Sequence, residues 1–385
     1  MDFDFTEEQL MIRQTVRDFA RREIAPVSRQ LDREGRFPSE LLAKMAPLGF
    51  LGVPFAPEFG GMGLSHLSYI LFLEEMGRAN MALCTSMSVH MSTVGKTIEQ
   101  WGTPEQKRKY LPRMSRGEIL GCFCATEPNV GSDVSSVETS ATRDGDGWVL
   151  NGTKIFSTNG GVAGVALVIA QADRAGGYKG ITAFLVDRDT PGFVSREMHG
   201  KMGQRASSTG EIVLENCRVP ADAVLGGQAG AGFKMAMSAL DRARECAGAY
   251  CVGLAQACID ASVEYAKSRK QFGKAIGGHQ LVQEMIADMI VETEAARLLT
   301  YRLAAEVEQG KRVSVDAAVV KYFASEVALR VANKAVQVHG GYGYVDEFPV
   351  ERYLRDIRVA TIWDGTSQIQ QLIIGRDALG IGAFS

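Results

Sequence analysis

Residues 362–370 read IWDGTSQIQ and carry one carboxylate, Asp364, directly before a Gly-Thr turn. The following residues, 367–379, have a helical pattern, and Thr366 or Ser367 is a suitable N-cap. A helix N-terminus offers unpaired N–H groups and a partial positive charge to an anion. A carboxylate fixed there can remove a proton next to a carbonyl group. Taken alone, the segment also fits an ordinary turn, so its meaning depends on the rest of the chain.

Composition limits the class of protein. The chain has 385 residues, too many for one ordinary hydrophobic core, so two or three domains are expected. The formal net charge is −3 and no basic stripe occurs, which argues against a nucleic-acid partner. The acidic first residues do not resemble a targeting peptide, and no apolar run reaches membrane-spanning length, so no membrane partner is expected.

The seven cysteines are scattered and odd in number, which is unlike a disulfide framework. Cys122 and Cys124 do not form a C-x-x-C motif, and no second pair or histidine cluster completes a zinc site. We therefore expect no metal, a reduced compartment and a cytoplasmic location.

The first 120 residues have a helical pattern. The sequence TEEQ at 6–9 is a capping box that opens a helix, and Pro26 is expected to end that helix. The glycine-rich stretch 58–63 lacks the spacing of a dinucleotide fingerprint and is interpreted as a turn between helices. Further helices are predicted at 39–50, 66–100 and 104–116.

The pattern changes at residue 121. The sequences DGDG at 144–147 and NG at 151–152 are hairpin-turn signals. Strand-like runs follow at 166–172, 181–187 and 211–219. Because no helices alternate with these strands, residues 121–230 are predicted to form a β domain without parallel βαβ units.

Helices return in the last third of the chain, predicted at 233–269, 280–309, 313–338 and 367–379. Helices of this length favour a four-helix bundle that also packs against other subunits. The predicted fold is therefore α+β, with an N-terminal helical domain at 1–120, a β domain at 121–230 and a bundle at 231–385. No G-x-G-x-x-G follows a strand and no P-loop is present, so a nucleotide cofactor would not bind in the Rossmann manner.

Six motifs, including the stretch quoted above, occur in a characteristic order. They are CATEPNVGSD (124–133), NGTKIFSTNG (151–160), MGQRASST (202–209), RKQFGK (269–274) with Gln280, QVHGGYG (337–343) and DGTSQIQ (364–370). Each motif alone is weak, but their order and spacing are specific. Through them the chain resembles the acyl-CoA dehydrogenases over nearly its whole length.

The resemblance implies a central β-barrel-like domain, a homotetramer, and FAD lying between the β domain and the bundle. Residues that match contacts to FAD from the same chain are Phe123, Ala125, Thr126, Ser132, Phe156 and Thr158. Residues that match contacts from a neighbouring subunit are Arg269, Phe272, Gln280, Gln337, Gly340 and Gly341. Thr366 and Gln368 match contacts to the adenosine end. The family more often has Trp where Phe156 stands, and its members pass their electrons to electron-transferring flavoprotein.

The resemblance also implies a reaction. A carboxylate removes the α-proton of an acyl-CoA thioester, flavin N5 takes the β-hydride, and the product is a 2-enoyl-CoA. The thioester oxygen is held by a ribityl hydroxyl and by the backbone N–H of the base. Asp364 matches that base. Residues that match substrate contacts, or are candidates for them, are Ser132, Asp241, Arg244, Trp363, Gly365, Met87, His90 and Met91. His90 fits a structural histidine equally well.

Two residues depart from the family pattern. Asp364 stands where most members have Glu, and Trp363 where they usually have Tyr. Asp is shorter by one C–C bond, roughly 1.5 Å, and a displacement of about 1 Å can cost on the order of a hundredfold in rate. We therefore hypothesise that the shorter arm accommodates a bulky α-carbon, in an alicyclic or α-branched acyl group such as cyclohexane-1-carboxyl-CoA. A straight-chain short or medium acyl-CoA is the alternative.

Other assignments remain open. Some members carry the base near position 243, which is Ala243 here, and neighbouring Glu245 is expected to face elsewhere. Nitroalkane oxidases use an Asp with an Arg seven residues later, where this chain has Gln371. Relatives that catalyse 1,4-elimination need an acid within 81–98, which has none. A non-catalytic scaffold that binds FAD and CoA is the non-enzymatic alternative.

Overall fold

The N-terminal region is helical. The computed structural model of the chain describes residues 4–383, so residues 1–3, at the acidic start of the chain, lie outside it. The helices are α1 (Glu7–Phe19), α2 (Ala25–Glu34), α3 (Ser39–Met45), α4 (His66–Ala79), α5 (Met81–Ser88), α6 (Lys96–Trp101) and α7 (Pro104–Ser115). The capping box is confirmed, because the Thr6 hydroxyl accepts from the Gln9 N–H and the Gln9 side chain accepts from the Thr6 N–H.

The prediction that Pro26 ends the first helix is wrong. A π-helical turn, Ala20–Ile24, joins α1 to α2, and Pro26 lies in the first turn of α2. A missing N–H costs little there, because first-turn N–H groups have no intrahelical acceptor. The predicted helix at 66–100 is likewise divided, because Asn80 leaves the helical conformation and accepts a hydrogen bond from the Leu83 N–H to open α5.

The middle of the chain forms one curled seven-stranded sheet. Its strands are β1 (Gly121–Cys124), β2 (Ser140–Asp144), β3 (Gly147–Thr158), β4 (Val165–Gln171), β5 (Ile181–Asp187), β6 (Phe193–Glu197) and β7 (Thr209–Val219). β5 pairs with one edge of β4 in antiparallel orientation. β1 and the start of β2 both pair with the other edge of β4, in parallel orientation. β2, β3, β7 and β6 continue as antiparallel neighbours.

One of the two hairpin signals is confirmed. The DGDG sequence closes the β2–β3 hairpin, where Asp144 pairs with Gly147. The NG sequence is not a turn, because Asn151 and Gly152 lie inside β3 at a shift of its register against β7. A Cβ at Gly152 would lie 2.7 Å from the Thr139 Cα, so close backbone approach explains this glycine.

The C-terminal region is a four-helix bundle, and the predicted fold class is confirmed. Its helices are α8 (Gly232–Ser268), α9 (Gln280–Glu308), α10 (Ser314–His339) and α12 (Ser367–Leu379). The short helix α11 (Val350–Ile357) was not expected from the sequence. A hairpin of β8 (Lys270–Gln271) and β9 (Lys274–Ala275) follows α8.

Helix α8 is the centre of the molecule. It crosses α4 at glycines on both helices, since a Cβ at Gly253 would lie 2.1 Å from the Glu74 carbonyl oxygen and a Cβ at Gly77 2.7 Å from the Tyr250 Cα. Among the described residues, α8 alone is long and apolar enough to cross a membrane, with a window of mean hydropathy 1.3. That window is 78% buried inside the protein, so the apolar surface of α8 packs against the protein's own core.

Polar contacts join the sheet to both helical regions. The buried Asn159 amide donates to the carbonyl oxygens of Ser86 (2.9 Å) and Gly121 (3.0 Å), which links the end of β3 to α5. The Gln204 N–H donates to the carboxylate of Asp356, a buried residue of α11. Burial raises the pKa of Asp356 to about 6. These bonds hold the NGTKIFSTNG and MGQRASST motifs against the helices.

We expect Gly253→Ala to destabilise the fold. Its Cβ would overlap the α4 backbone, and overpacking of this kind costs about 2 kcal/mol. The measurement is the apparent melting temperature of the purified protein. Gly375→Ala on α12 is the control, because a Cβ there meets no atom within 4 Å in the described chain. Equal melting temperatures for the two variants would contradict a tight crossing of α4 and α8.

Candidate active site

Asp364 lies immediately before α12. Its φ is 54°, a conformation that non-glycine residues adopt at an energetic cost and that is enriched at functional sites. Of the two predicted N-caps, Thr366 is the one used, because its hydroxyl accepts from the Ile369 N–H at 3.2 Å. Ser367 donates instead to Glu326 at 2.6 Å. The helix therefore starts where the sequence predicted, with the carboxylate two residues before its cap.

Three buried side chains hold the backbone at Asp364, and we call them the carbonyl clamp: Arg244, Lys321 and Gln370. The Asp364 carbonyl oxygen accepts from Arg244 Nε (3.0 Å) and from Gln370 Nε2 (3.1 Å). The Gly365 carbonyl oxygen accepts from Lys321 Nζ and from Gln370 Nε2, both at 2.8 Å. The clamp joins α8, α10 and α12 at one turn of backbone.

The clamp also orients the amide groups of the turn. In a trans peptide the C=O and the following N–H point in opposite directions. Because the carbonyl oxygen of Asp364 points at the clamp, the Gly365 N–H points away from it. Within residues 4–383, neither the Asp364 nor the Gly365 N–H donates to another residue. The turn therefore presents the unused Gly365 N–H on the side away from the clamp, and the Asp364 N–H is unused as well.

The carboxylate of Asp364 is free to take a proton. Across the described part of the chain, no side chain or N–H donates to its oxygens. Burial raises its pKa, while the charges of Lys321 and Arg244 oppose that rise. A basic group with a raised pKa and no hydrogen-bond donor on its oxygens is suited to proton abstraction.

Aromatic rings flank the carboxylate. The half-buried Trp363 ring meets the buried Tyr250 ring edge to face, with centroids 5.9 Å apart and planes at 88°. The pKa of Tyr250 lies well above its usual range, chiefly because the ring is buried, and the charge of Asp364 adds to the effect. The region beside Asp364 is therefore apolar and aromatic.

Two residues predicted to contact substrate, Asp241 and Arg244, are engaged with the protein itself. Arg244 donates to Asp241 at 2.8 Å, and Asp241 also accepts from Ser314 at 2.6 Å. Glu245, the next residue on α8, turns to His66 at 3.3 Å, so it faces away from Asp364 as expected.

Of the two interpretations left open for His90, its contacts favour the structural one. Its ring is fully buried, Nδ1 accepts from the Gly121 N–H at 3.1 Å, and Nε2 donates to the Leu51 carbonyl oxygen at 3.1 Å. Burial lowers its pKa to about 4, so the ring is neutral and structural. Met87 and Met91 are buried in the same core, and their contact with substrate stays a prediction.

The residues predicted to contact the flavin ring lie together on β1, β3 and the segment after β1. The Ile155 N–H donates to the Thr126 carbonyl oxygen at 2.9 Å, which joins these segments. Phe156 has a φ of 54° and a ring that is 62% exposed. Phe123 and Thr158 are half-buried, Ala125 is buried, and Ser132 lies in the exposed loop that follows.

A buried ion pair supports this segment from behind. Lys154 pairs with Glu127 at 2.7 Å and also donates to the Ala125 carbonyl oxygen at 3.3 Å. The Glu127 carboxylate in turn accepts from the N–H groups of Glu138 and Thr139. The segment is thus held without using the hydroxyls of Thr126 and Thr158.

The residues predicted to act from a neighbouring subunit are remote from Asp364 in this chain. Arg269 follows Arg244 by 25 positions, which is roughly 37 Å along a helix axis. Phe272 stands at the tip of the β8–β9 hairpin with 92% of its surface exposed. Gln280, Gln337, Gly340 and Gly341 are also exposed at their positions. A single chain therefore does not bring these residues to the Asp364 site, and their joint role with the flavin-contacting residues of another chain stays a prediction.

The sequence did not identify Lys321, Gln370 or Tyr250 as site residues. Gln370 lies inside a motif but had no role assigned. Lys321 carried one signal, a single cation within an apolar stretch of a long helix. Within residues 4–383, no group of three or more His, Cys, Asp or Glu side chains could hold a metal ion.

Taken together, the chain combines an N-terminal helical domain, a curled sheet and a four-helix bundle with an unpaired carboxylate at a capped helix N-terminus. Family models agree. The models for the N-terminal, middle and C-terminal domains of acyl-CoA dehydrogenases match residues 6–118, 122–217 and 230–379. The chain belongs to the acyl-CoA dehydrogenase family, whose members are oxidoreductases acting on CH–CH groups. The predicted family and enzyme class are confirmed.

Individual relatives cover almost the entire chain. "Acyl-CoA dehydrogenase, short-chain specific" from Clostridium acetobutylicum is 42% identical over 97% of this chain and 98% of the relative. Butyryl-CoA dehydrogenase from Megasphaera elsdenii is 40% identical with a TM-score of 0.96, over 98% of this chain and all of that one.

Two further solved structures bear on cofactor and partner. A chain in a structure described as the electron transferring flavoprotein of Acidaminococcus fermentans has a TM-score of 0.96 and 41% identity, over 98% of this chain and 100% of that chain. Glutaryl-CoA dehydrogenase from Mycobacterium smegmatis, in complex with FADH2, has a TM-score of 0.94 and 33% identity, over 99% and 97%. The expected cofactor, FAD, is thus the one found in a related enzyme.

We expect Gln370→Leu to reduce the rate of acyl-CoA dehydrogenation by at least about tenfold, because the turn loses two of its four clamp bonds and a shift of about 1 Å costs more than that. The measurement is steady-state turnover with an artificial electron acceptor. Gln371→Leu is the matched control, since Gln371 is exposed and bonds only to the Tyr322 hydroxyl within the described chain. Equal rates for both variants would show that the clamp does not position Asp364.

Proposed function

We propose that this chain is an FAD-dependent acyl-CoA dehydrogenase in which Asp364 removes the α-proton of an acyl-CoA thioester to give the 2-enoyl-CoA. The observation that carries the proposal is the free carboxylate of Asp364 in a turn whose two carbonyl oxygens are held by buried side chains. A fixed base beside unused N–H donors is the arrangement that enolate formation requires.

The residues present fit FAD. The hydroxyls of Thr126 and Thr158 bond to no other described residue, so both are available to a flavin ring. The exposed Phe156 ring offers an apolar face beside them. A Cβ at Gly340 or Gly341 meets no atom within 4 Å, which leaves the backbone open to a ligand from another copy. FAD, when bound, supplies the acceptor, N5, for the β-hydride.

The chain's own residues would act as follows. Asp364 takes the α-proton, and its desolvated position favours the protonated product. The N–H groups of Asp364 and Gly365, which donate to no other described residue, are available to the negative charge that develops on the thioester oxygen. The Trp363 ring, with Tyr250 buried behind it, provides an apolar wall for the acyl group.

The substrate is proposed to be an α-branched or alicyclic acyl-CoA, with cyclohexane-1-carboxyl-CoA as the type compound. The clamp prevents the turn from moving to compensate for the shorter Asp side chain, so the α-carbon must lie close to the backbone. A ring or branch at that carbon packs against Trp363 and Tyr250. A short straight chain is the second candidate, because similar relatives are named as short-chain or butyryl-CoA dehydrogenases.

Electron-transferring flavoprotein is proposed as the electron acceptor, supported by the similar chain in the Acidaminococcus structure. A homotetramer is proposed because Phe272, a large apolar residue at the tip of the β8–β9 hairpin, is 92% exposed in the single chain. The seven cysteines are all free and buried, which supports the reduced, cytoplasmic location expected from the sequence.

We expect Asp364→Asn to retain bound FAD and to lose turnover by on the order of a thousandfold, because an amide cannot accept the α-proton. Turnover is measured together with the flavin-to-protein ratio. Asp377→Asn is the matched control, an exposed carboxylate on the same helix. Full activity of Asp364→Asn with bound FAD would disprove the assignment of the base.

A second prediction concerns the acyl group. In anaerobic titrations we expect cyclohexanecarboxyl- or isobutyryl-CoA to bleach the flavin faster than butyryl- or octanoyl-CoA. Asp364→Glu, longer by roughly 1.5 Å, should move the preference toward the straight chains. Faster bleaching by straight chains in the wild type would favour the second candidate. No bleaching by any of them would favour a scaffold, or an oxidase detectable by oxygen-dependent turnover of nitroethane.

A further inference from the structure

Lys321 is the least expected charge in the molecule. It lies in the N-terminal third of α10 and is fully buried, with 0% of its surface exposed. Its ammonium group donates to the Gly365 carbonyl oxygen at 2.8 Å, and no other acceptor among the described residues bonds to it. Burial of an ammonium group with a single hydrogen bond is costly, so an opposite charge nearby is needed.

Four ionisable groups face this cation. Asp364 and Glu326 stabilise its charge, Arg244 opposes it, and the buried thiol of Cys251 lies alongside. Burial lowers the pKa of Lys321 to about 8, with Asp364 as the largest opposing influence. In return, Lys321 is the largest influence that opposes the raised pKa of Asp364. The cation and the carboxylate therefore stabilise each other.

The two groups interact without a direct ion pair. No contact within 4.0 Å joins the Lys321 ammonium to the Asp364 carboxylate in the described chain, because the ammonium is fixed on the carbonyl one residue further along. A direct bond would occupy an oxygen that must accept the α-proton. The offset position leaves that oxygen free and still supplies a positive charge in a desolvated region, where charges act strongly.

We propose that Lys321 is a positioning residue: it fixes Gly365 on the bundle and, by its charge, keeps the Asp364 carboxylate ionised and ready to accept a proton. The inference rests on the proposed role of Asp364 as the base. It assigns separate functions to two cations of the clamp. Arg244 forms an ion pair with Asp241 at 2.8 Å, so its charge is shared with a second carboxylate, and Lys321 is the larger influence on Asp364.

The test is the pH dependence of kcat/KM for Lys321→Met and Lys321→Gln, measured below the pH of about 8 at which Lys321 itself loses its proton. Without the cation the pKa of Asp364 rises, so the acidic limb of the profile should move to higher pH by about one unit. Activity lost at neutral pH should return as the pH rises. Gln keeps a hydrogen-bond donor for Gly365 without the charge, and should therefore move the limb as Met does.

Lys334→Met is the control, because Lys334 lies on the same helix and pairs with Asp288 at 2.7 Å, away from the clamp. A purely structural role for Lys321 would lower activity equally at every pH and leave the limb in place, which would overturn the proposal. A Gln variant with the wild-type limb would overturn it as well. An active Asp364→Asn variant would overturn both proposals. If Asp364→Asn is inactive and the acidic limb of the Lys321 variants has not moved, only the role of Lys321 is overturned.

A reciprocal measurement covers the case in which Lys321→Met does not fold. Coupling between two titrating groups acts equally in both directions. Asp364→Asn should therefore lower the pH at which Lys321 titrates, followed by NMR of protein labelled with 13C at the lysine ε-carbon. Lys321→Gln or Lys321→Arg identifies the resonance. An unchanged titration in Asp364→Asn would overturn the proposal.

Discussion

The site depends on one constraint, which is that the carbonyl oxygens of Asp364 and Gly365 are bound by buried side chains from three helices. Arg244 comes from α8, Lys321 from α10 and Gln370 from α12. A buried cation left without its acceptor would be strongly destabilising. The positions of the three helices around this turn are therefore fixed by the same bonds that fix the backbone of Asp364.

The same constraint reaches the rest of the molecule through α8. That helix carries Arg244 near one end, crosses α4 at Gly253, and places Tyr250 between the two. The sheet is tied in turn to α5 by Asn159 and to α11 by Gln204. The turn is consequently linked through α8 to the N-terminal helices, and the sheet is linked to the helical regions by its own hydrogen bonds.

Local signals predicted most of the elements and part of the site. The capping box at Thr6, the β2–β3 turn and the Thr366 cap depend on neighbouring residues, and sequence was sufficient for them. The predicted helix end at Pro26 was wrong because a π-helical turn precedes this residue and places it in the first turn of α2. The predicted turn at Asn151 was wrong because pairing with β7 extends β3 through the turn signal. The clamp joins positions 244, 321 and 370, and that contact is visible only once the helices are packed.

The clamp also gives the substitution at the base its physical meaning. In a mobile loop, a carboxylate shortened by roughly 1.5 Å could reach its substrate by movement of the backbone. Here the backbone carbonyls on both sides of the Asp364–Gly365 peptide are bound to buried partners, so the turn cannot advance without breaking those bonds. With Asp364 as the proposed base, the missing length is supplied by the position of the substrate. On that proposal the α-carbon lies close to the backbone and beside Trp363, with Tyr250 buried behind that ring, so bulk at the α-carbon becomes a determinant of binding.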